Sequence, residues 1–409
     1  MQSHYDILIV GAGHGGASLA LNLRQRRFAG SIGVVSDESC GPYERPPLSK
    51  DFLSGARTFD EIQFRAPAVW EAQSIDLLQG KRATSLDAEQ HELYLEDGNR
   101  LGYGSLVWAT GGRARRLDCP GSEVAGIHSI RSRADVDALR VDLEHASNVV
   151  VIGAGYVGLE SAATLKSLGK SVTVLESLPR VLARVTGPEL SSFMQGLHAD
   201  RGVEVVPNAA VEGFDSRTGR LCAVRLADGR RFEAQVAIVG IGILPNVEVL
   251  VEAGAKATNG VHVDAQCRTT LPDVYAIGDC ALHPNRFSNA GVVRLESVQN
   301  AMDQAATVSR VLSGEAAAYD TIPWFWSQQF DCRLQTVGLL HGYDTSVVRG
   351  DPKSGAFSVI YTLQGRVVAL DCVNSGRDFI QGKHLVMKGV VADVETLAST
   401  AIELKSLVA

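Results

Sequence analysis

Two glycine-spaced segments carry the chemistry of this chain. Residues 11–16 read G-A-G-H-G-G, and residues 153–158 read G-A-G-Y-V-G. Each follows an apolar run, I-L-I-V at 7–10 and V-V-V-I at 149–152, and each opens a small-residue, helix-like segment. The first glycine of such a turn (Gly11, Gly153) permits a tight reversal. The second (Gly13, Gly155) lets the backbone approach a pyrophosphate, and the last (Gly16, Gly158) lets the helix pack close to the strand. The phosphates then rest on the unpaired N–H groups and positive dipole end of the helix. His14, Gly15, Tyr156 and Val157 fill the two loops. One such fingerprint is weak evidence. Two of them, each between a strand and a helix, predict two dinucleotide sites with electrons passing between the nucleotides.

The fingerprint asks for an acid about 20 residues on, to accept the ribose hydroxyls. In the second copy this is Glu176, just after the apolar segment 172–175. A carboxylate there welcomes a 2′-OH and repels a 2′-phosphate, so the second site is expected to prefer NADH over NADPH. Arg180 and Arg184 follow closely; they would soften that preference if they faced the nucleotide, and are read here as surface charges. In the first copy Ser36 stands directly after the strand, and the ribose role falls to Asp37 in a slightly shifted register. His14 is a residue able to face the pyrophosphate, or else an ordinary loop position.

The elements that must position these residues read as alternating strands and helices. Strands are expected at 5–10, 32–35, 106–112 and 274–279, and a helix at 14–27. A complete strand–helix–strand unit is expected over 148–176. Residues 41–50, G-P-Y-E-R-P-P-L-S-K, cannot be a helix interior. Short strands with a D-G turn at 228–229 are expected over 203–235, and a helix at 296–312. After Pro323 the character changes to alternating strands near 334–340, 356–363 and 365–373, then helices from about 377. The pattern is one α/β unit with a second inserted into it, followed by an α+β tail.

Composition narrows the function. The 409 residues are 45% hydrophobic and 21% charged with a net charge of −7, which gives no basic face for nucleic acid. No apolar run approaches the ~18 residues of a membrane span. The first strand begins within a few residues of the start, leaving no room for a signal peptide, so a cytoplasmic location is expected. Seven cysteines, at 40, 119, 222, 267, 280, 332 and 372, include no C-x-x-C or C-x4-C. That spacing argues against a cysteine-ligated metal or cluster and against a redox dithiol.

Taken together, G-A-G-H-G-G, P-Y-E-R-P-P-L-S-K (42–50), L-V-W-A-T-G-G (106–112), V-I-G-A-G-Y-V-G-L-E (151–160), V-G-I-G-I-L-P-N (239–246), V-Y-A-I-G-D-C-A (274–281), E-S-V-Q-N-A (296–301) and P-W-F-W-S (323–327) span nearly the whole chain. On these segments the chain resembles the FAD-dependent ferredoxin reductases of bacterial oxygenase systems, within the glutathione-reductase-like superfamily. The resemblance implies an α/β fold of two Rossmann-like dinucleotide-binding domains plus a C-terminal α+β domain. Residues 1–112 and 245–320 would form a discontinuous FAD-binding domain, 113–244 an NADH-binding domain and 321–409 an interface domain.

It further implies non-covalent FAD at the first fingerprint and NADH at the second. Asp279 matches the aspartate that bonds the ribityl chain, beside Gly278. Ala109, Thr110 and Gly111 belong to a matching flavin motif. Ala83 and Arg131 match positions touching the flavin nucleotide, and Val298 matches one that meets the ring through its backbone. Gly240 and Gly242 belong to the matching nucleotide segment of the second site. Lys50 matches the lysine beside the ring system. With Glu160, two residues past the last glycine of the second fingerprint and expected on the first helical turn facing the domain interface, it forms a candidate catalytic pair. Trp324 and Trp326, alternate residues on an extended segment, share one side, with Phe325 on the other. The family places them by the flavin where ferredoxin docks. One departure is Ala114, where the family often carries proline, which points to a less rigid loop.

Disulfide reductases of this fold place C-x4-C beside the flavin. Here P-P-L-S-K fills that region behind a single Cys40. Electrons are therefore expected to leave one at a time to an external, acidic [2Fe–2S] ferredoxin serving a Rieske-type oxygenase or cytochrome P450. Arg310, Arg333, Arg377 and Lys383 would supply positive charge for docking. The rival readings are an NADH oxidase, a peroxide or monodehydroascorbate reductase on the same scaffold, and a redox-sensing NADH-binding protein like apoptosis-inducing factor. The oligomeric state stays open.

Overall fold

A computed structural model describes residues 2–408. The chain divides into two compact units. One holds the described residues up to Arg45, Phe59–Arg113 and Leu244–Pro323. The other holds Pro46–Thr58, Ala114–Ile243 and the described residues from Trp324 onward.

The first unit is built on a parallel sheet ordered Ile75–Leu78, Ile32–Val35, His4–Val10, Arg100–Trp108, with Val274–Ala276 paired beyond. An antiparallel hairpin, Ala83–Asp87 and Glu92–Leu95, extends the lower part of Arg100–Trp108. The central strand is nearly continuous in buried apolar residues, as a strand covered on both faces must be. Its neighbours lie in opposite sequence directions, so its carboxyl end is the switch point where such sheets bind ligands. The helix His14–Gln25 follows directly and ends two residues short of the expected 27.

The second unit repeats this plan. Its parallel sheet runs Glu204–Val206, Ser171–Leu175, Asn148–Ile152, Val236–Val239, Ile127–His128. The helix Tyr156–Ser167 leaves the central strand at its switch point. A three-stranded antiparallel layer, Val211–Arg217, Arg220–Leu226 and Arg231–Glu233, carries the D-G turn. From Trp324 a five-stranded antiparallel sheet runs Trp324–Gln329, Cys332–Gly338, Arg366–Val373, Ala356–Leu363, Thr345–Asp351, followed by the helix Gly376–Lys388.

Several elements differ from expectation. The strand placed at 106–112 is Arg100–Trp108, and Gly112–Ala114 is a separate short strand. The strands Ile75–Leu78, Ala83–Asp87 and Glu92–Leu95 are too short to stand out, and Thr345–Asp351 is interrupted by Arg349 and Gly350. Among the described residues no helix is long and apolar enough to cross a membrane. No group of His, Cys, Asp and Glu among them is arranged to hold a metal ion.

Candidate functional site

The two glycine loops are built alike. Gly11 has φ +106°, and a Cβ there would stand 2.4 Å from the Ala109 carbonyl oxygen. Gly153 has φ +101°, and its Cβ would stand 2.4 Å from the Gly240 oxygen. Each first glycine thus lies against the end of the adjacent strand, where no side chain fits. The last glycines are equally constrained: a Cβ on Gly16 would be 1.9 Å from Gly11 O, and one on Gly158 2.0 Å from Gly153 O. The second glycines behave oppositely. A Cβ on Gly13 or Gly155 would meet nothing within 4 Å. Each is the N-cap of its helix with no side-chain cap, so the first-turn N–H groups face open space. That is the cradle a pyrophosphate requires, and both loops fit a dinucleotide.

Around the first cradle, Ala109 donates its N–H to Val10 O at 2.7 Å. Thr110 Oγ1 donates to Asn246 O at 2.8 Å, and Gly111 takes φ +62° to turn the chain. Gly15 lies over Ile277, and His14 meets the ring of Phe64 edge-on at 5.0 Å. Gly278 (φ +76°) donates its N–H to Gln304 Oε1 at 2.7 Å, while Asp279 is half-buried and its carbonyl accepts Arg294. Val298 is the first residue of the helix Val298–Leu312, behind the Ser297 cap, so its N–H has no intrahelical partner. Ala83 opens its hairpin, half-buried. Arg131 belongs to the other unit, where its N–H is held by Asp135 at 3.0 Å. Asp37 is half-exposed with its carboxylate on Arg82 at 3.1 Å. By strand register the counterpart of Glu176 is Ser36, the residue right after Ile32–Val35.

Around the second cradle, Glu176 is 9% exposed and accepts two backbone donors, Ala154 N–H at 2.7 Å and Leu178 N–H at 2.8 Å. Oε1 also takes the Ser177 hydroxyl at 3.4 Å, so Oε2 is the oxygen that keeps an acceptor direction for a ribose hydroxyl. Gly240 donates to Ile152 O at 2.8 Å, and Gly242 turns at φ +95°. Val157 is exposed, whereas Tyr156 packs on Phe325 at 4.5 Å. Burial, then the charges of Asp371 and Glu160, push the Tyr156 hydroxyl well up. Arg180 corrects the surface reading: its guanidinium donates to Ser191 Oγ at 2.5 Å and to Ala183 O at 3.1 Å, tying down the loop after Glu176. Arg184 is exposed as expected.

Lys50 and Glu160, far apart in sequence, come together in the second unit. Lys50 Nζ donates to Glu160 Oε2 at 2.7 Å. The turn Pro46–Ser49 delivers the lysine and docks on the helix Tyr156–Ser167 through Thr164 Oγ1, which donates to Ser49 O at 2.8 Å. Because the helix starts at Tyr156, Glu160 is its fifth residue and opens the second turn rather than lying on the first. The carboxylate is 5% exposed, a costly burial without donors. It receives three: Lys50, Ser49 Oγ at 2.6 Å and Ser327 Oγ at 2.7 Å.

The strand Trp324–Gln329 supplies Ser327 from one face. From the other, Trp324 and Trp326 lie 5.6 Å apart, and the Lys383 ammonium sits 4.5 Å from the Trp324 ring centroid. Arg310 lies in the first unit, paired with Glu315, and Arg377 is paired with Glu403. Sequence reasoning missed Ser49, Ser327, Gln329 and His198. The one available signal was alternation, which already put 325, 327 and 329 on the face opposite the indoles.

Two dinucleotide cradles, each at a sheet switch point, define a two-nucleotide oxidoreductase. The chain belongs to the pyridine nucleotide-disulphide oxidoreductase family, which matches residues 5–305, and residues 324–408 match the reductase C-terminal family. It is 51% identical over 407 residues to the 5,5'-dehydrodivanillate O-demethylase ferredoxin reductase subunit of Sphingobium sp., covering 99% of each chain. Among solved structures it is similar to the ferredoxin reductase for the CYP199A2 system from Rhodopseudomonas palustris (TM-score 0.95, 38% identity, 100% of both chains). It is also similar to putidaredoxin reductase in its covalent complex with putidaredoxin (TM-score 0.94, 36% identity, 99% and 98% of the two chains). Family membership implies FAD and NAD(H), and both cradles fit them.

Proposed function

We propose that this protein is an NADH-dependent ferredoxin reductase of an oxygenase system, taking electrons from NADH onto FAD and passing them singly to a [2Fe–2S] ferredoxin. The duplicated cradle, in a chain without a paired-cysteine motif, carries this reading. FAD occupies the cradle of Gly11, Gly13, Gly15 and Gly16, with Asp37, Ala83, Ala109–Gly111, Arg131, Asp279 and Val298 as its further contacts. NADH occupies the cradle of Gly153, Gly155 and Gly158, with Glu176, Gly240 and Gly242. Residues 1–112 with 245–320, 113–244 and 321–409 serve as FAD, NADH and interface domains. Bound FAD supplies the redox chemistry, accepting two electrons from NADH and giving them up one at a time.

The side chains supply position and charge. The two helix N-termini hold the pyrophosphates. Glu176 accepts the adenosine ribose hydroxyls and disfavours a 2′-phosphate. Lys50 places a positive charge where negative charge builds on reduction, and Glu160 fixes that lysine. Trp324 and Trp326 line the exit toward an acidic ferredoxin. Aromatic-compound breakdown fits the demethylase system of the Sphingobium relative, and the cell compartment is the cytoplasm. The test is anaerobic NADH titration of the purified yellow protein, followed by cytochrome c reduction with and without purified [2Fe–2S] ferredoxins. Ferredoxin-independent turnover, equal with and without the carriers, would overturn the reading.

A further inference from the structure

We propose that Ser327, Gln329 and His198 are positioning residues that aim Glu160 through a one-way hydrogen-bonded chain, and so control how Lys50 is presented during flavin reduction. The inference rests on the reading of Lys50 and Glu160 given above. The direction of the chain follows from its acceptor-only end at Glu160. A carboxylate paired with lysine only accepts, so the Ser327 hydroxyl must donate to Glu160 Oε1 at 2.7 Å. The Ser327 oxygen in turn accepts Gln329 Nε2 at 3.1 Å. That fixes the amide orientation and turns Gln329 Oε1 toward His198 Nε2, 2.8 Å away. An amide oxygen only accepts, so His198 carries its proton on Nε2. Every donor in the chain points toward Glu160.

Burial makes this arrangement consequential. Glu160 is 5% exposed, Ser327 and Gln329 1% each, and His198 0%. In such surroundings aligned hydrogen bonds reinforce one another, and a missing one is costly. The chain ends at a fully buried ring. His198 Nδ1 has no partner among the described residues, and its ring meets Phe330 at 5.2 Å. Burial holds the imidazole below its ordinary range, against the opposing pull of Gln329, so the ring brings no second positive charge to compete with Lys50. The chain therefore acts by orienting a carboxylate.

Three elements converge to make it. The helix Tyr156–Ser167 provides Glu160, and the last turn of Pro188–Asp200 provides His198. The strand Trp324–Gln329 provides the two links between, at alternate positions on one face. On the opposite face the same strand carries the paired indoles.

The test uses the FAD-loaded enzyme and the variants Ser327→Ala, Ser327→Thr, Gln329→Met, His198→Phe and Glu160→Gln. It reads the limiting rate of flavin reduction by NADH, the apparent Kd for NADH, the FAD midpoint potential and the melting temperature. Ser327→Ala is expected to lower the limiting rate roughly tenfold and shift the potential, with Kd changed by less than about twofold. Ser327→Thr, which keeps the hydroxyl, should restore both. Gln329→Met and His198→Phe should act in the same direction with smaller effect, and they decide the matter if Ser327→Ala does not fold. Lower melting temperatures with wild-type rate and potential in these variants would reduce the chain to core packing and overturn the inference. Wild-type behaviour of Glu160→Gln would instead overturn the underlying reading of the Lys50–Glu160 pair.

Discussion

The Glu176 carboxylate accepts the Ala154 N–H at 2.7 Å, so the acid that reads the ribose also braces the glycine loop that cradles the phosphates. Glu176→Gln keeps the shape and removes the charge. The NADH-over-NADPH ratio of kcat/KM should narrow by roughly ten- to hundredfold, the worth of one hydrogen bond to a charged group. Steady-state kinetics with both nucleotides checks this. Equal kcat/KM for the two in the wild type would refute the ribose role of Glu176.

Lys50→Met leaves Glu160 buried with its two serine donors but without its cation. It should cost about 3 kcal/mol of stability, as breaking a buried pair does, and should make the reduced flavin less stable. Glu160→Ala should act mainly on reduction by NADH. Stopped-flow traces of both variants that overlay the wild type would leave the pair an ordinary salt bridge.

Asp371 is fully buried and accepts the hydroxyls of Thr186 and, at 2.7 Å, Tyr361, while its Oδ1 has no partner among the described residues. Burial pushes its pKa from 3.8 up to about 6, against the pull of those two hydroxyls. The folded protein therefore binds this proton more tightly than the unfolded chain. Its stability falls as pH rises from the unfolded value toward about 6 and levels off above. Asp371→Asn removes that loss. Its advantage over the wild type should be absent near pH 3.5 and grow to about 3 kcal/mol at most by pH 7. Melting curves across that range test it, and a pH-independent difference would contradict it.

Electron exit gives a prediction that separates two activities. The Lys383 ammonium over Trp324 couples positive charge to the indole pair, and Arg333 is exposed on the neighbouring strand. Steering of an acidic carrier acts on association and is screened by salt. Ferredoxin-linked turnover should fall steeply with ionic strength while reduction of the flavin by NADH changes little. Trp326→Ala should impair ferredoxin-linked turnover more than ferricyanide reduction. Proportional loss of both, with no response to salt, would move the docking face elsewhere.

The glycine loops were legible because their constraint is local: a tight turn and a close strand can be read from spacing alone. The buried parallel strands were legible for the same reason, as short apolar runs. The strand Thr345–Asp351 was not, because its buried Arg349 is satisfied by Asp378 and by the carbonyls of Leu397, Ser399 and Ile402, which lie some fifty positions on. The surroundings of Glu160 were hidden by distance as well. Its hydroxyl donors stand 111 and 167 residues away in sequence, and no local pattern announces them. Asp37 shows the limit of register: the strand ends one residue before Ser36, so counting alone cannot choose among successive polar residues.

The strand Trp324–Gln329 sends its even-numbered indoles one way and Ser327 and Gln329 the other. A single residue inserted between Trp326 and Ser327 would bring Ser327 and Gln329 round to the side of the indoles, since a one-residue slip turns every following side chain over. The strand therefore tolerates substitution at single positions far better than a change of length. Added or removed residues would be accommodated only in the connections at either end of these six positions.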